Sequence, residues 1–170
     1  MAAGGGNQGS VPAGGTLPNS NSAEAGQYYL PGVGATYLNP DFADRVGRFI
    51  DNAKNRGVDL QFTSGYRNRA KQDALQNDPT ATTPAQDSLH SAGRGIDIKV
   101  PLLPNKQVDQ SALSALVADA TAAGLSWGGH FKNPRPDPGH FYYDPGSDRQ
   151  QLINQFSQGI NKLKDQMPDY

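Results

Sequence analysis

The sequence predicts a small α+β domain, a short and mainly antiparallel sheet with helices packed against it. Three observations carry this. The chain has 170 residues, which suits one domain around one hydrophobic core. Segments of helical and strand periodicity follow one another as α, β, α, β, α, β, β, α, with no internal repeat. No stretch approaches the roughly 18 consecutive apolar residues of a membrane span.

Residues 1–36 are rich in Gly, Asn, Ser and Pro, and Glu24 is their only charged residue. Such a composition buries too little apolar surface to fold alone. It reads as an arm, flexible or ordered on a partner, ahead of a folded domain at 37–170. The first helix starts at Asn39, a good N-cap, with Pro40 and Asp41 suited to the first turn. Phe42, Val46, Phe49, Ile50 and Ala53 recur at helical spacing, and Gly57 ends the run. Residues 58–63 alternate apolar and polar and read as a strand. Gly65-Tyr66-Arg67 turns into a helix at 68–76, and Pro79 and Pro84 mark 77–87 as a loop. A second strand covers 95–100, and Leu113, Leu116 and Val117 form the apolar stripe of an Ala-rich helix at 110–123. Leu125-Ser126-Trp127 gives a short strand, 128–139 a Gly/Pro-rich loop, and His140 to Tyr143 a fourth strand. The last helix, 148–167, turns Leu152, Ile153, Phe156, Ile160 and Leu163 inward.

Composition narrows the chemistry. The 15 Lys+Arg balance 16 Asp+Glu, so the basic face of a nucleic-acid binder is missing. Without cysteine there is no disulfide framework, thiolate metal site or cysteine nucleophile. Any metal must be held by carboxylates and the three histidines. Residues 1–7 offer neither the basic nor the apolar region of a secretory signal, so synthesis and initial residence in a cytoplasm are expected.

Three segments place polar residues where a small core would favour apolar ones. In the first, His90 ends a loop and Asp97 interrupts an apolar strand between Ile96 and Ile98. A carboxylate there is costly to bury unless it is paired or bound to a metal. Taken alone, it could equally be a structural carboxylate paired with Arg94 or Lys99. Gly93 and Gly95 allow a tight turn that would let His90 and Asp97 converge. In the second, His140 stands at the mouth of a strand, with Asp137 three residues earlier. Three protein ligands with one open position is the pattern of catalytic zinc. His90, Asp97 and His140 supply the ligands at the sheet edge, and Asp137 the base for an attacking water. In the third, Arg67 follows a strand in a Gly turn, with Gln72 just beyond, a place to present a guanidinium to a substrate carboxylate or an oxyanion.

The same residues resemble a known family. Ser88-x-His90-x-x-Gly93-x-Gly95-x-Asp97 is similar to the Ser-x-His-x-x-Gly-x-Ala-x-Asp signature of the zinc D-alanyl-D-alanine peptidases. That family includes vancomycin-resistance D,D-peptidases and the L-alanyl-D-glutamate endopeptidases of phage endolysins. Ser64-Gly65-Tyr66-Arg67 with Gln72 resembles its Ser-Gly-Tyr-Arg segment. Trp127-Gly128-Gly129 and Asp137-x-x-His140-Phe141 resemble segments of the endolysin branch. The resemblance runs from about residue 39 to 144 in the right order. It implies Zn²⁺ on His90, Asp97 and His140, a base at Asp137, and substrate or oxyanion contacts from Arg67 and Ser88, with Gln72 and Trp127 in the binding cleft.

Two departures stand out. Gly95 replaces the usual Ala, which should leave the turn intact, and His130 stands where the endolysin branch has Asp. The activity implied is cleavage of the peptidoglycan stem peptide by a phage endolysin or virion-associated lysin, at L-Ala–D-Glu or alternatively D-Ala–D-Ala. A different class of reading is a virion or tail module that keeps the fold as a binding device, its arm docked on a phage structural protein.

Overall fold

The computed structural model describes residues 25–68, 88–131 and 136–166. The expected helix from 69 onward, with Gln72, the loop at 77–87, the Pro-rich segment 132–135 and most of the arm lie outside the described residues.

The architecture is α+β with two antiparallel sheets. A hairpin pairs β1 (Gly26–Leu30) with β2 (Gly34–Leu38), Gly26 opposite Leu38. The second sheet has the order β3-β4-β6-β5, from β3 (Phe62–Ser64), β4 (Gly95–Ile98), β5 (Ser126–Trp127) and β6 (His140–Tyr142). Helix α1 (Pro40–Asn55) packs on the sheet beside α2 (Gln110–Ala122), and α3 (Arg149–Gln166) closes the chain.

The hairpin lies mostly in the segment 1–36 that the sequence reads as an arm. Leu30 and Leu38 are fully buried in the main core with Phe42, Phe49, Ile96 and Phe141. The folded part therefore reaches back to Gly26. Pro31-Gly32 makes the turn, with Gly32 at φ +96°, and a Cβ at Gly32 would run into the Phe62 carbonyl. The hairpin is tied to the second sheet by the Phe62 N–H, which donates to the Pro31 carbonyl at 2.7 Å.

Helix α1 forms for the reasons its sequence suggests. Asn39 Oδ1 accepts the Phe42 N–H at 3.2 Å, Pro40 opens the first turn and Asp41 faces the positive helix end. Strand β3 starts later than the alternation at 58–63 predicts. Its register on β4 shifts between Phe62, opposite Ile98, and Ser64, opposite Asp97, and the strand is three residues long. Because Asn39 caps α1 while its own N–H donates to the Gly93 carbonyl at 3.0 Å, it also joins the helix to the loop before β4. Asn39→Ala should cost about 1 kcal/mol of stability or more, read as a lower urea midpoint at unchanged slope.

Candidate active site

Strand alternation builds the centre of the site. Ile96 and Ile98 point into the core, so Asp97 points to the opposite face of β4. Its neighbours across the sheet are Ser64 on β3 and His140 on β6. The third group arrives from a 3₁₀ turn, Leu89–Ala92, just before β4. Ser88 caps that turn by accepting the His90 N–H at 3.2 Å, and Gly93 ends it at φ +69°. The three donors gather where the two middle strands, β4 and β6, pair.

Three donor atoms converge there. His90 Nε2 lies 3.2 Å from His140 Nδ1 and 3.4 Å from Asp97 Oδ1, and His140 Nδ1 lies 3.0 Å from the same oxygen. Nitrogen and oxygen donors on a tetrahedral zinc at about 2.0–2.1 Å stand about 3.3 Å from one another. The spacing therefore fits the ion. His90, Asp97 and His140 are the group among the described residues able to hold a metal.

Their protonation fits too. His90 Nδ1 faces the Gly65 carbonyl at 2.7 Å, and a carbonyl can only accept, so Nδ1 carries the proton. A neutral His90 then turns the lone pair of Nε2 toward the other two donors, the orientation that a partner on the far nitrogen imposes on a metal-binding imidazole. Burial lowers the His90 pKa, against the opposing pull of Asp97, and so favours this neutral form. Burial alone would raise the Asp97 carboxyl. Its contacts with His90 and His140 outweigh that and hold the group well below the usual carboxylate range. The rings of His140, Tyr142 and Phe131 cluster, with Tyr142 stacked on His140 at 5.5 Å, Phe131 at 5.6 Å from His140 and 5.4 Å from Tyr142.

Arg67 takes a place that the sequence did not indicate. Its Nη2 donates to Asp97 Oδ2 at 2.7 Å and its Nε to Ser64 Oγ at 3.1 Å, while its backbone N–H donates to the His90 carbonyl at 3.3 Å. One oxygen of Asp97 faces the imidazoles and the other faces Arg67. Neither Arg94 nor Lys99 is the ion-pair partner of Asp97. Arg94 is buried on the other side against Asp41, 3.9 Å away.

Asp137 is buried at the turn into β6. Its N–H donates to the Gly128 carbonyl at 3.0 Å, and its own carbonyl accepts the His140 N–H at 3.2 Å. Asp137 and His140 therefore share one turn, and that turn rests on Gly128. A Cβ at Gly128 would stand 2.9 Å from both the Asp137 carbonyl and His140 Cβ. Trp127 pins the same turn, its Nε1–H donating to the Pro138 carbonyl at 2.9 Å. His130 is exposed and lies edge-on to the Trp127 ring at 4.9 Å, away from the three donors. Ser88, expected to contact substrate, is buried as a cap. A methyl at Gly95 would meet His140 Cε1 at 3.2 Å, so glycine keeps the turn intact without crowding that ring.

The supporting groups missed from the sequence are Ser64, the Gly65 carbonyl, Phe131 and Tyr142. Ser64 and Gly65 stood inside a motif already noticed. The two aromatic residues flank histidines in sequence, but nothing in their spacing shows that they hold a ring.

Two histidines and a carboxylate, brought together from a 3₁₀ turn and the two middle strands of an α+β sheet, make a site of the kind that holds a catalytic metal. The family model described as D-alanyl-D-alanine carboxypeptidase matches residues 81–143, a span that includes the three donors and Asp137. Among solved structures, the vancomycin-resistance D,D-pentapeptidase VanY of a VanB-type cassette, in complex with Zn(II), superposes with a TM-score of 0.52 at 17% identity, covering 85% of this chain and 93% of that one. VanYB in complex with D-alanine-D-alanine gives 0.50 at 15% identity, over 89% and 93% of the two chains. A Serratia marcescens L-Ala D-Glu endopeptidase, ChiX, gives 0.47 at 20% identity, over 63% and 80%. No curated protein matches the chain. The motif-bearing match, the shared fold and the donor set support the zinc D-alanyl-D-alanine peptidase family, and with it a metal-dependent hydrolase.

Proposed function

We propose that this chain is a zinc peptidase that cleaves the stem peptide of peptidoglycan at the L-Ala–D-Glu bond, as a phage lysin. The carrying observation is the convergence of His90 Nε2, His140 Nδ1 and Asp97 Oδ1 within 3.0–3.4 Å of one another, with the far nitrogen of His90 locked on Gly65. The endolysin-like Trp127-Gly128-Gly129 and Asp137-x-x-His140-Phe141 segments support the choice of bond and the phage assignment.

When bound, zinc supplies Lewis acidity, which lowers the pKa of water and polarises the scissile carbonyl. The chain's own residues do the rest. Asp137, on the turn that presents His140, accepts the proton of the attacking water and returns it to the leaving amine. Arg67 holds the outer oxygen of Asp97 and places a fixed positive charge beside the reacting carbonyl, where negative charge grows. Trp127 fixes the turn of Asp137 through Pro138.

A second reading is D-Ala–D-Ala cleavage, favoured by the description of the matching family and by the ligand of VanYB. Mass spectrometry of muropeptides digested with and without a chelator tests both. We expect fragments with a new D-Glu amino terminus, lost on chelation and restored by zinc. Release of a single D-Ala would transfer the assignment to the second reading, and products that persist without zinc would overturn the metallopeptidase.

A further inference from the structure

Helix α3 begins at Arg149, beyond the residues that the family model matches, yet it packs on the turn that presents His90. Leu152 and Ile153 of α3 form a small core of their own with Leu89 and Ala92, the residues on either side of His90-Ser91. One turn along, the Phe156 ring is buried against Gly93, the residue that ends the His90 turn. A Cβ at Gly93 would overlap that ring, so glycine there serves both the left-handed φ of +69° and the approach of the helix. The same ring packs on Tyr66 at 5.6 Å. Tyr66 stands between Gly65, whose carbonyl receives the His90 Nδ1–H, and Arg67, whose guanidinium holds Asp97.

Phe156 thus touches both segments that orient His90: the turn that carries it and the strand extension that fixes its far nitrogen. We propose that Phe156 is a positioning residue for the metal site, setting the distance between the 3₁₀ turn and residues 65–67. The proposal rests on the zinc reading above. It adds that zinc affinity depends on the C-terminal helix, which contributes no ligand. Groups that orient a metal-bound histidine typically alter metal affinity by about 10–100-fold when removed, and a ring that holds both orienting segments should act at the low end of that range.

The test uses the full chain. Phe156→Leu keeps the helix packed but uncovers part of Gly93 and Tyr66, and Phe156→Ala uncovers both. Leu116→Ala, a truncation in the main core, is the control for general loss of stability. Zinc affinity is read by competition with a chelating dye, and ligand geometry by the visible bands of the cobalt(II) form. The His90 Nδ1–H signal is followed by NMR in the metal-free protein. We expect zinc to bind at least about threefold more weakly in Phe156→Leu and about tenfold in Phe156→Ala. The cobalt bands and the Nδ1–H signal should shift in both, and the control should match the wild type in all three. If Phe156→Ala does not fold, Phe156→Leu decides alone. Wild-type affinity, bands and Nδ1–H signal in Phe156→Leu would overturn the proposal. A wild-type chain that takes up no zinc would instead sink the metallopeptidase reading, while the metal-free NMR signal still decides what Phe156 does to His90.

Discussion

Asp137→Asn should lower kcat by about 10²–10⁴-fold while zinc remains bound at one equivalent and the fold stays intact. The reason lies in how the residue is held. Asp137 fixes its turn through backbone groups, its N–H on Gly128 and its carbonyl on the His140 N–H. An asparagine keeps both bonds and the approximate side-chain volume. What it loses is the ability to take up a proton. Asp137 also lies outside the group of donors able to hold a metal, so removing its charge should leave zinc affinity near the wild-type value. The measurement pairs turnover on purified muropeptides with metal content by atomic emission. KM should change little, because the lost interaction develops as the proton moves, not when substrate binds. Near-normal turnover in Asp137→Asn would remove Asp137 as the base. Loss of zinc along with activity would make it part of the metal's support instead.

The sequence was most informative where one local rule decided the outcome. Helix α1 has a cap, a proline and an apolar stripe that all agree, and its observed start at Pro40 follows. Asp97 between two isoleucines announced a polar residue on one face of a strand whose other face is core, and the sheet places it so. The hairpin at Gly26–Leu38 was hidden because its glycines and serine-rich surroundings resemble the arm before it. The signals were nonetheless present: Pro31-Gly32 between two short runs carrying tyrosine and leucine. What no local rule could supply is the choice of long-range partner. Arg94 and Lys99 lie nearest to Asp97 in sequence, but strand geometry sends Arg94 to Asp41 and brings Arg67 across from β3, 30 residues away. In the same way, the period of α3 shows Phe156 facing inward without showing that it faces the turn that carries His90. Partner choice of this kind comes from the packing of whole elements, and sequence spacing does not encode it directly.

His90→Ala and His140→Ala should each lose stoichiometric zinc, and activity should fall to background. Each substitution removes one of three donors that stand 3.0–3.4 Å apart, and two remaining donors cannot close the tetrahedral set of a catalytic site. The two variants differ in what else they disturb. His90→Ala also leaves the Gly65 carbonyl without the Nδ1–H at 2.7 Å, inside a buried turn, and an unmet buried acceptor costs about 1–3 kcal/mol. His140→Ala removes a ring that packs against both Tyr142 and Phe131 but leaves the β4–β6 ladder, because the pairing of Asp97 with residue 140 is a backbone matter. His90→Ala should therefore be the less stable of the two as metal-free protein, and thermal melts in chelator can rank them. His130→Ala is the internal control. It is exposed and set against Trp127 away from the donors, so it should retain zinc and melt like the wild type. One equivalent of zinc in purified His90→Ala or His140→Ala, or its loss in His130→Ala, would show that the ion is held by a different set of residues.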